Sequence, residues 1–182
     1  MSTPKTILVV DVECTCWTDK PPNLFPETKN EIIEIGISVL DIKSRDIIES
    51  RSILVIPPTT ELSDFCIGLT TITPEMISKN GIPFKDAINI CRDEYKMHRN
   101  IFASWGDYDR RSFEKNCKWN NVENPVNNLN LNVKALFSAK YGYNGGQKKC
   151  GEDLGILFKG TQHRGVDDSR NIAQILQNLL GK

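Results

Sequence analysis

The chain has 182 residues, enough for one domain of ordinary size, and 39% of them are hydrophobic, enough for one substantial core. Its 23 Lys and Arg balance 23 Asp and Glu, which excludes a general nucleic-acid coat protein but leaves room for an enzyme with a local basic groove or a metal-bridged phosphate site. No apolar run approaches the ~20 residues of a membrane span, and the start MSTPKTILVVD lacks a signal peptide, so a cytoplasmic protein with no membrane partner is expected.

In chain order, residues 5–12 read as a strand apolar on both faces, hence central in a sheet. EIIEIGISVLDI is a second strand that places Ile33, Ile35, Ile37 and Val39 on one face at period two. DIIESRSILVIPP is a third, closed by Pro57 and Pro58 and joined to the second by a hairpin at Lys43 to Arg45. LSDFCIGLTTITPEMI reads as short helical turns, one of them opened by Thr73-Pro74. PFKDAINICRDEYKMH is an amphipathic helix, NIFASW a fourth strand and YDRRSFEKNCKWN the helix after it. An Asn-rich loop from Asn120 leads into a short strand near Asn130 to Val133, followed by helices at VKALFSAKYG, CGEDLGILF and GVDDSRNIAQILQNLLGK. Three strands, then alternating helix and strand, define an α/β fold with a mixed sheet. Residues 1–182 read as a single domain without repeats or linkers.

The six cysteines are expected to be reduced; Cys14 and Cys16 have no second Cys/His pair at zinc-finger spacing. The carboxylates are more informative. Asp11 and Glu13 share one face of the first strand, ~7 Å apart along it. Side by side at the end of a buried strand they repel each other and lose hydration, which a divalent cation would relieve; two solvated acids at a surface strand end are the plainer alternative. Asp107 stands between a strand and a helix, where functional residues of α/β sheets gather, but where an Asp is most often an N-cap; Asp109 could cap equally well. At ~100° per residue Asp168 shares a stripe with Ile172, Ile175 and Leu179 and faces inward, whereas Asp167 falls with Asn171, Gln174 and Asn178 and faces water. His163 lies on a loop beside Gly165; the other histidine, His98, closes a polar helix end. Next to a metal, His163 becomes a candidate general base.

In order and separation, Asp11-x-Glu13, Asp107, and His163 with Asp168 resemble the motif series of the DEDDh 3′-5′ exonucleases. DVECTCW, EIIEIG, LSDFCIGLTTIT, SWGDYD and HRGVDDSRNIA, spread over nearly the whole chain, are most similar to the Eri-type, KapD-like subgroup. The sister group with a tyrosine base would have Tyr where Arg164 stands, which favours the histidine version.

The resemblance implies an RNase H-like fold: three antiparallel strands, then two parallel, flanked by helices. It implies that Asp11, Glu13, Asp107 and Asp168 hold two divalent cations, Mg²⁺ or Mn²⁺, and that His163 takes the proton of the attacking water. The imidazole must be neutral to do so, and activity should fall as the solution is made acid. The expected reaction is release of nucleoside 5′-monophosphates from single-stranded RNA 3′ ends. The alternatives are a 3′-5′ DNA exonuclease using the same site, or a nuclease-like regulatory protein that binds nucleic acid without cutting it. Phe65 and Leu69 match family positions against the terminal base, and Thr15 and Trp105 match positions near the terminal sugar; ordinary core packing is the alternative for Phe65, Leu69 and Trp105. Animal Eri-type nucleases often carry a separate nucleic-acid-binding domain before the catalytic one, and this chain, which reads from first strand to last helix as catalytic domain, is expected to lack it. A grip on a few terminal nucleotides, or an accessory RNA-binding partner, is therefore expected.

Overall fold

The computed structural model describes residues 4–18 and 29–181. Six strands form one sheet: β1 (Thr6–Cys14), β2 (Ile32–Asp41), β3 (Ile47–Ile56), β4 (Ile82–Pro83), β5 (Ile101–Ser104) and β6 (Asn130–Asn132). Seven helices flank it: α1 (Asp64–Thr70), α2 (Pro74–Asn80), α3 (Phe84–Asp93), α4 (Tyr108–Trp119), α5 (Val133–Tyr141), α6 (Gln147–Asp153) and α7 (Gly165–Leu179). The strand order is β4-β3-β2-β1-β5-β6. The first three strands are antiparallel, and β5 and β6 run parallel to β1 and to each other, as expected for an RNase H-like fold. The sequence reading did not include β4, which pairs with β3 only at Val55–Ile82 and Ile56–Pro83. Among the described residues no helix is long and apolar enough to cross a membrane.

The β-branched run of β1 is buried on both faces, as its central place requires. Leu8, Val10 and Val12 pack with Ile35, Ile37 and Ile53 under Ile88 of α3 and Phe113 of α4. Ile7 and Val9 pack on the opposite face, under Phe137 of α5 and Ile172, Ile175 and Leu176 of α7. Asp11 and Glu13 continue this second row. With apolar residues on both faces, hydrophobicity alone would tolerate a slip of β1 by one residue. Two glycines remove that freedom. Asp11 pairs with Gly36 of β2, and a Cβ on Gly36 would lie 1.9 Å from the carbonyl carbon of Gly165. A Cβ on Gly165 would in turn lie 2.9 Å from the Asp11 carbonyl oxygen. The first residue of α7 therefore seats directly on the sheet beside Asp11.

Two expectations about elements are corrected. Ile33 does not share a face with Ile35 and Ile37. A bulge puts Ile33 between the pairs Cys14–Ile32 and Glu13–Glu34, and Ile33 packs instead with Leu54, Cys66, Ile72 and Ile77. The helix read at CGEDLGILF begins earlier, at Gln147, and ends at Asp153. Gly155, at φ 73°, turns the chain, and the Ile156 N–H returns to the Gly151 carbonyl at 2.9 Å.

Candidate active site

β1 and β5 run side by side, and their carboxyl ends open into a cleft of about 740 Å³ lined by Asp11, Glu13, Trp105, Asp109, His163 and Asp168, with Gln147, Lys148 and Lys149 of α6 opposite. Carboxylate oxygens of Asp11, Glu13 and Asp168 all lie within 4.8 Å of one another. Asp11 and Glu13 are half-buried, and Asp168 is buried in the first turn of α7, on the stripe of Ile172 and Ile175.

The fourth carboxylate is Asp109, not Asp107. The β1–β5 ladder ends at Val9–Ala103. Beyond it the Val12 N–H, between the two acids of β1, donates to Asp109 Oδ1 at 2.9 Å. Asp109 is buried on the apolar side of α4, with Phe113 and Cys117 four and eight residues on. Asp107 occupies the N-cap position of α4, but its carboxylate makes no capping bond. It accepts from Arg110 Nε and Arg111 Nε, each at 2.8 Å, outside the lining of the cleft. Those guanidiniums, Arg110 first, hold its carboxyl below the usual carboxylate range. The residue two places nearer the apolar face of the helix reaches the strand; Asp107 cannot.

The electrostatics follow from placing four acids in one partly dry cleft. Burial first, then Asp109 and Glu13, raises the Asp11 carboxyl well above its ordinary value. Burial, with Asp168 next, pushes Glu13 up to about 8. Burial pushes Asp109 to about 6 against the Val12 N–H, and Asp168 to about 6 against the nearby backbone N–H groups of His163 and Arg164. A cluster of oxygen donors with uncompensated charge fits hard divalent cations such as Mg²⁺ or Mn²⁺.

His163 lines the cleft next to this cluster, exposed, at φ 60°, a backbone conformation uncommon outside glycine. Trp105 also lines it, and its indole Nε1 is buried without a hydrogen-bond partner. Phe65 and Leu69 lie outside the lining of the cleft. They stand one turn apart on α1, which docks on the exit of β1 through the Ser63 hydroxyl to the Cys16 carbonyl, 2.6 Å. Phe65 is 40% exposed, so core packing does not account for it.

Thr15 leaves the set expected near the sugar. It is fully buried, its hydroxyl donating to the Lys29 carbonyl at 3.2 Å and accepting the Glu31 N–H at 2.9 Å. Nor does Asp167 face water as its stripe suggested. It accepts the Thr161 N–H at 2.9 Å and pairs with Arg170, so the polar side of α7 ties down the loop before it. It remains outside the lining of the cleft. All six cysteines are free, and burial pushes the Cys14 thiol up to about 12.

Four carboxylates and a histidine, gathered where the central strands of a mixed sheet end, define the class of DEDDh-type 3′-5′ exonucleases. The exonuclease family model, RNase_T, matches residues 8–176, and the chain belongs to this family, which works with divalent metal ions. Across 96% of its length the chain is 28% identical to human 3′-5′ exoribonuclease 1 and 27% identical to ERI1 exoribonuclease 2 of Xenopus laevis. It spans 52% and 28% of those two proteins. The nuclease domain of 3′hExo, a DEDDh family member solved bound to rAMP, superposes with a TM-score of 0.85 at 26% identity, over 98% of this chain and 93% of that one.

Proposed function

We propose that the protein hydrolyses single-stranded RNA from its 3′ end, releasing nucleoside 5′-monophosphates. The observation that carries this reading is the convergence of Asp11, Glu13, Asp109, Asp168 and His163 on one open cleft. The four carboxylates would hold two divalent cations, Mg²⁺ or Mn²⁺, which, when bound, supply charge stabilisation to the attacking and leaving oxygens of an in-line displacement. The chain's own residues do the rest. His163 accepts the proton of the attacking water, an oxygen–phosphorus bond forms, and the bond from phosphorus to the 3′ oxygen of the preceding nucleotide breaks. The Arg164 carbonyl accepts the Asp168 N–H at 2.9 Å, which seats the residue after His163 on the first turn of α7. Phe65 and Leu69, one turn apart beyond the end of β1, offer the terminal base an apolar face that suits any base. Trp105 lines the same cleft and would lie near the terminal sugar.

RNA is preferred over DNA because the relatives are named as exoribonucleases. With 23 basic and 23 acidic residues the chain has no general excess of positive charge for holding longer RNA, which assigns that task to an accessory RNA-binding partner. Chromatography of the products of matched oligoribonucleotides and oligodeoxyribonucleotides tests the reading. Ribonucleoside 5′-monophosphates formed faster than their deoxy counterparts are expected. Equal or faster release from DNA would make this a DNA exonuclease, and binding without product would make it a regulatory protein.

A further inference from the structure

The least expected charge in the molecule is Glu34. It lies on β2 opposite Glu13, fully buried, on the face that carries the acid cluster. Its charge opposes ionisation of Asp11, Glu13 and Asp168. A buried carboxylate beside three others is costly unless its bonds do something an apolar residue could not.

Those bonds converge on the start of α7. Glu34 Oε2 accepts the Gly165 N–H at 2.9 Å and Arg164 Nε at 3.1 Å. Oε1 accepts Arg164 Nη2 at 3.3 Å and the Ser52 hydroxyl of β3 at 2.5 Å. Arg164 is the N-cap residue of α7 and makes no side-chain capping bond itself; the strand glutamate takes the first helical N–H in its place. Arg164 also follows His163 directly, and its guanidinium group is largely covered by this pairing, at 19% side-chain exposure. His163 therefore leaves a backbone held by Glu34 through Arg164 and Gly165, and the Arg164 carbonyl in turn accepts the Asp168 N–H at 2.9 Å. A non-glycine residue at φ 60° is kept there by such surroundings.

We propose that Glu34 and Arg164 are a positioning pair that sets where the His163 imidazole stands over the carboxylates. Neither residue lines the cleft; the pair acts through His163. This rests on the reading of His163 as the base. Arg164→Met removes the guanidinium fork and keeps the aliphatic length.

The test is a double-mutant cycle of Arg164→Met with His163→Ala, with kcat and KM read on a single-stranded oligoribonucleotide in Mg²⁺ and folding checked by thermal melting. Arg164→Met is expected to lower kcat by about 10- to 100-fold, with KM within about twofold. Placed in His163→Ala, it is expected to lower kcat by no more than about twofold further, because the group it positions is already gone. Arg164→Lys, which keeps the charge but loses the fork, is expected to retain an intermediate kcat, and it replaces Arg164→Met in the cycle should that variant melt early. The same factor lost in both backgrounds would mean a merely structural role and would overturn the proposal, as would an unchanged kcat in Arg164→Met. A His163→Ala enzyme with wild-type kcat would overturn the base assignment and this inference with it, whereas a large loss in His163→Ala with full additivity would sink the positioning role alone.

Discussion

Asp109 grips the backbone of β1 between the two acids it joins, while Asp107, two residues earlier, is held by two arginines at the surface. Asn at position 109 still accepts the Val12 N–H but removes one of the four carboxylate charges of the cleft. Asp109→Asn is therefore expected to fold and to lose on the order of 100-fold or more in kcat, while Asp107→Asn stays within about threefold. Steady-state kinetics on one oligoribonucleotide compare the two directly; the reverse ranking would return Asp107 to the site. The sequence held the means to choose correctly. Stepping by four from Asp109 meets Phe113 and Cys117, whereas stepping from Asp107 meets Arg111 and Lys115. This is the helix-face rule that selected Asp168 over Asp167. The role of Thr15 was not legible, because its hydroxyl partners at Lys29 and Glu31 belong to a segment only the fold brings alongside. Glu34 was equally hidden: EIIEIG shows no partner for it, and only the arrival of Arg164, 130 residues later, gives it a purpose.

At the scale of elements, β1, α4 and α7 each carry acid into the same cleft, and folding itself creates the repulsion among them. Glu13 is pushed up from 4.5 to about 8, and Asp109 and Asp168 from 3.8 to about 6. Such groups bind more protons in the folded than in the unfolded chain. Their contribution is most favourable below about pH 4 and is lost as pH rises through the folded values, so between about pH 4 and pH 8 they make the metal-free protein less stable. The melting temperature in EDTA is expected to fall from about pH 5 to pH 8 on this account. Mg²⁺ at a hundredfold excess over its dissociation constant should raise it by about 5–10 °C, more at the higher pH. Calorimetry in EDTA and in Mg²⁺ checks both; a melting temperature indifferent to Mg²⁺ at pH 8 would mean that the carboxylates do not form a cation site. The strands and long helices behind this cluster were largely readable, because β1 and β2 are apolar runs and α7 carries a clear stripe. Ile33 was misplaced because a bulge interrupts the period of two, which side-chain alternation alone does not announce. The early start of α6 was missed because Gly145, Gly146 and two lysines precede its apolar residue.

For the molecule as a whole, the sheet order sets the function. Placing β1 between an antiparallel and a parallel neighbour aligns its carboxyl end with that of β5, and α7 crosses back over β1 and β2 to complete the cluster. The two faces of the sheet bury separate cores, so the cleft sits at the end of a sandwich of layers with one open side. An open cleft suits the proposed substrate, a chain end that would enter, lose one nucleotide and advance. The most direct measurement of that claim is a time course on 5′-labelled single-stranded RNA with Mg²⁺, with Mn²⁺ and with EDTA. The account predicts a ladder that shortens one nucleotide at a time from the 3′ end with either metal and stops in EDTA. No shortening with either metal, cuts scattered within the strand, or a ladder that persists in EDTA would contradict it.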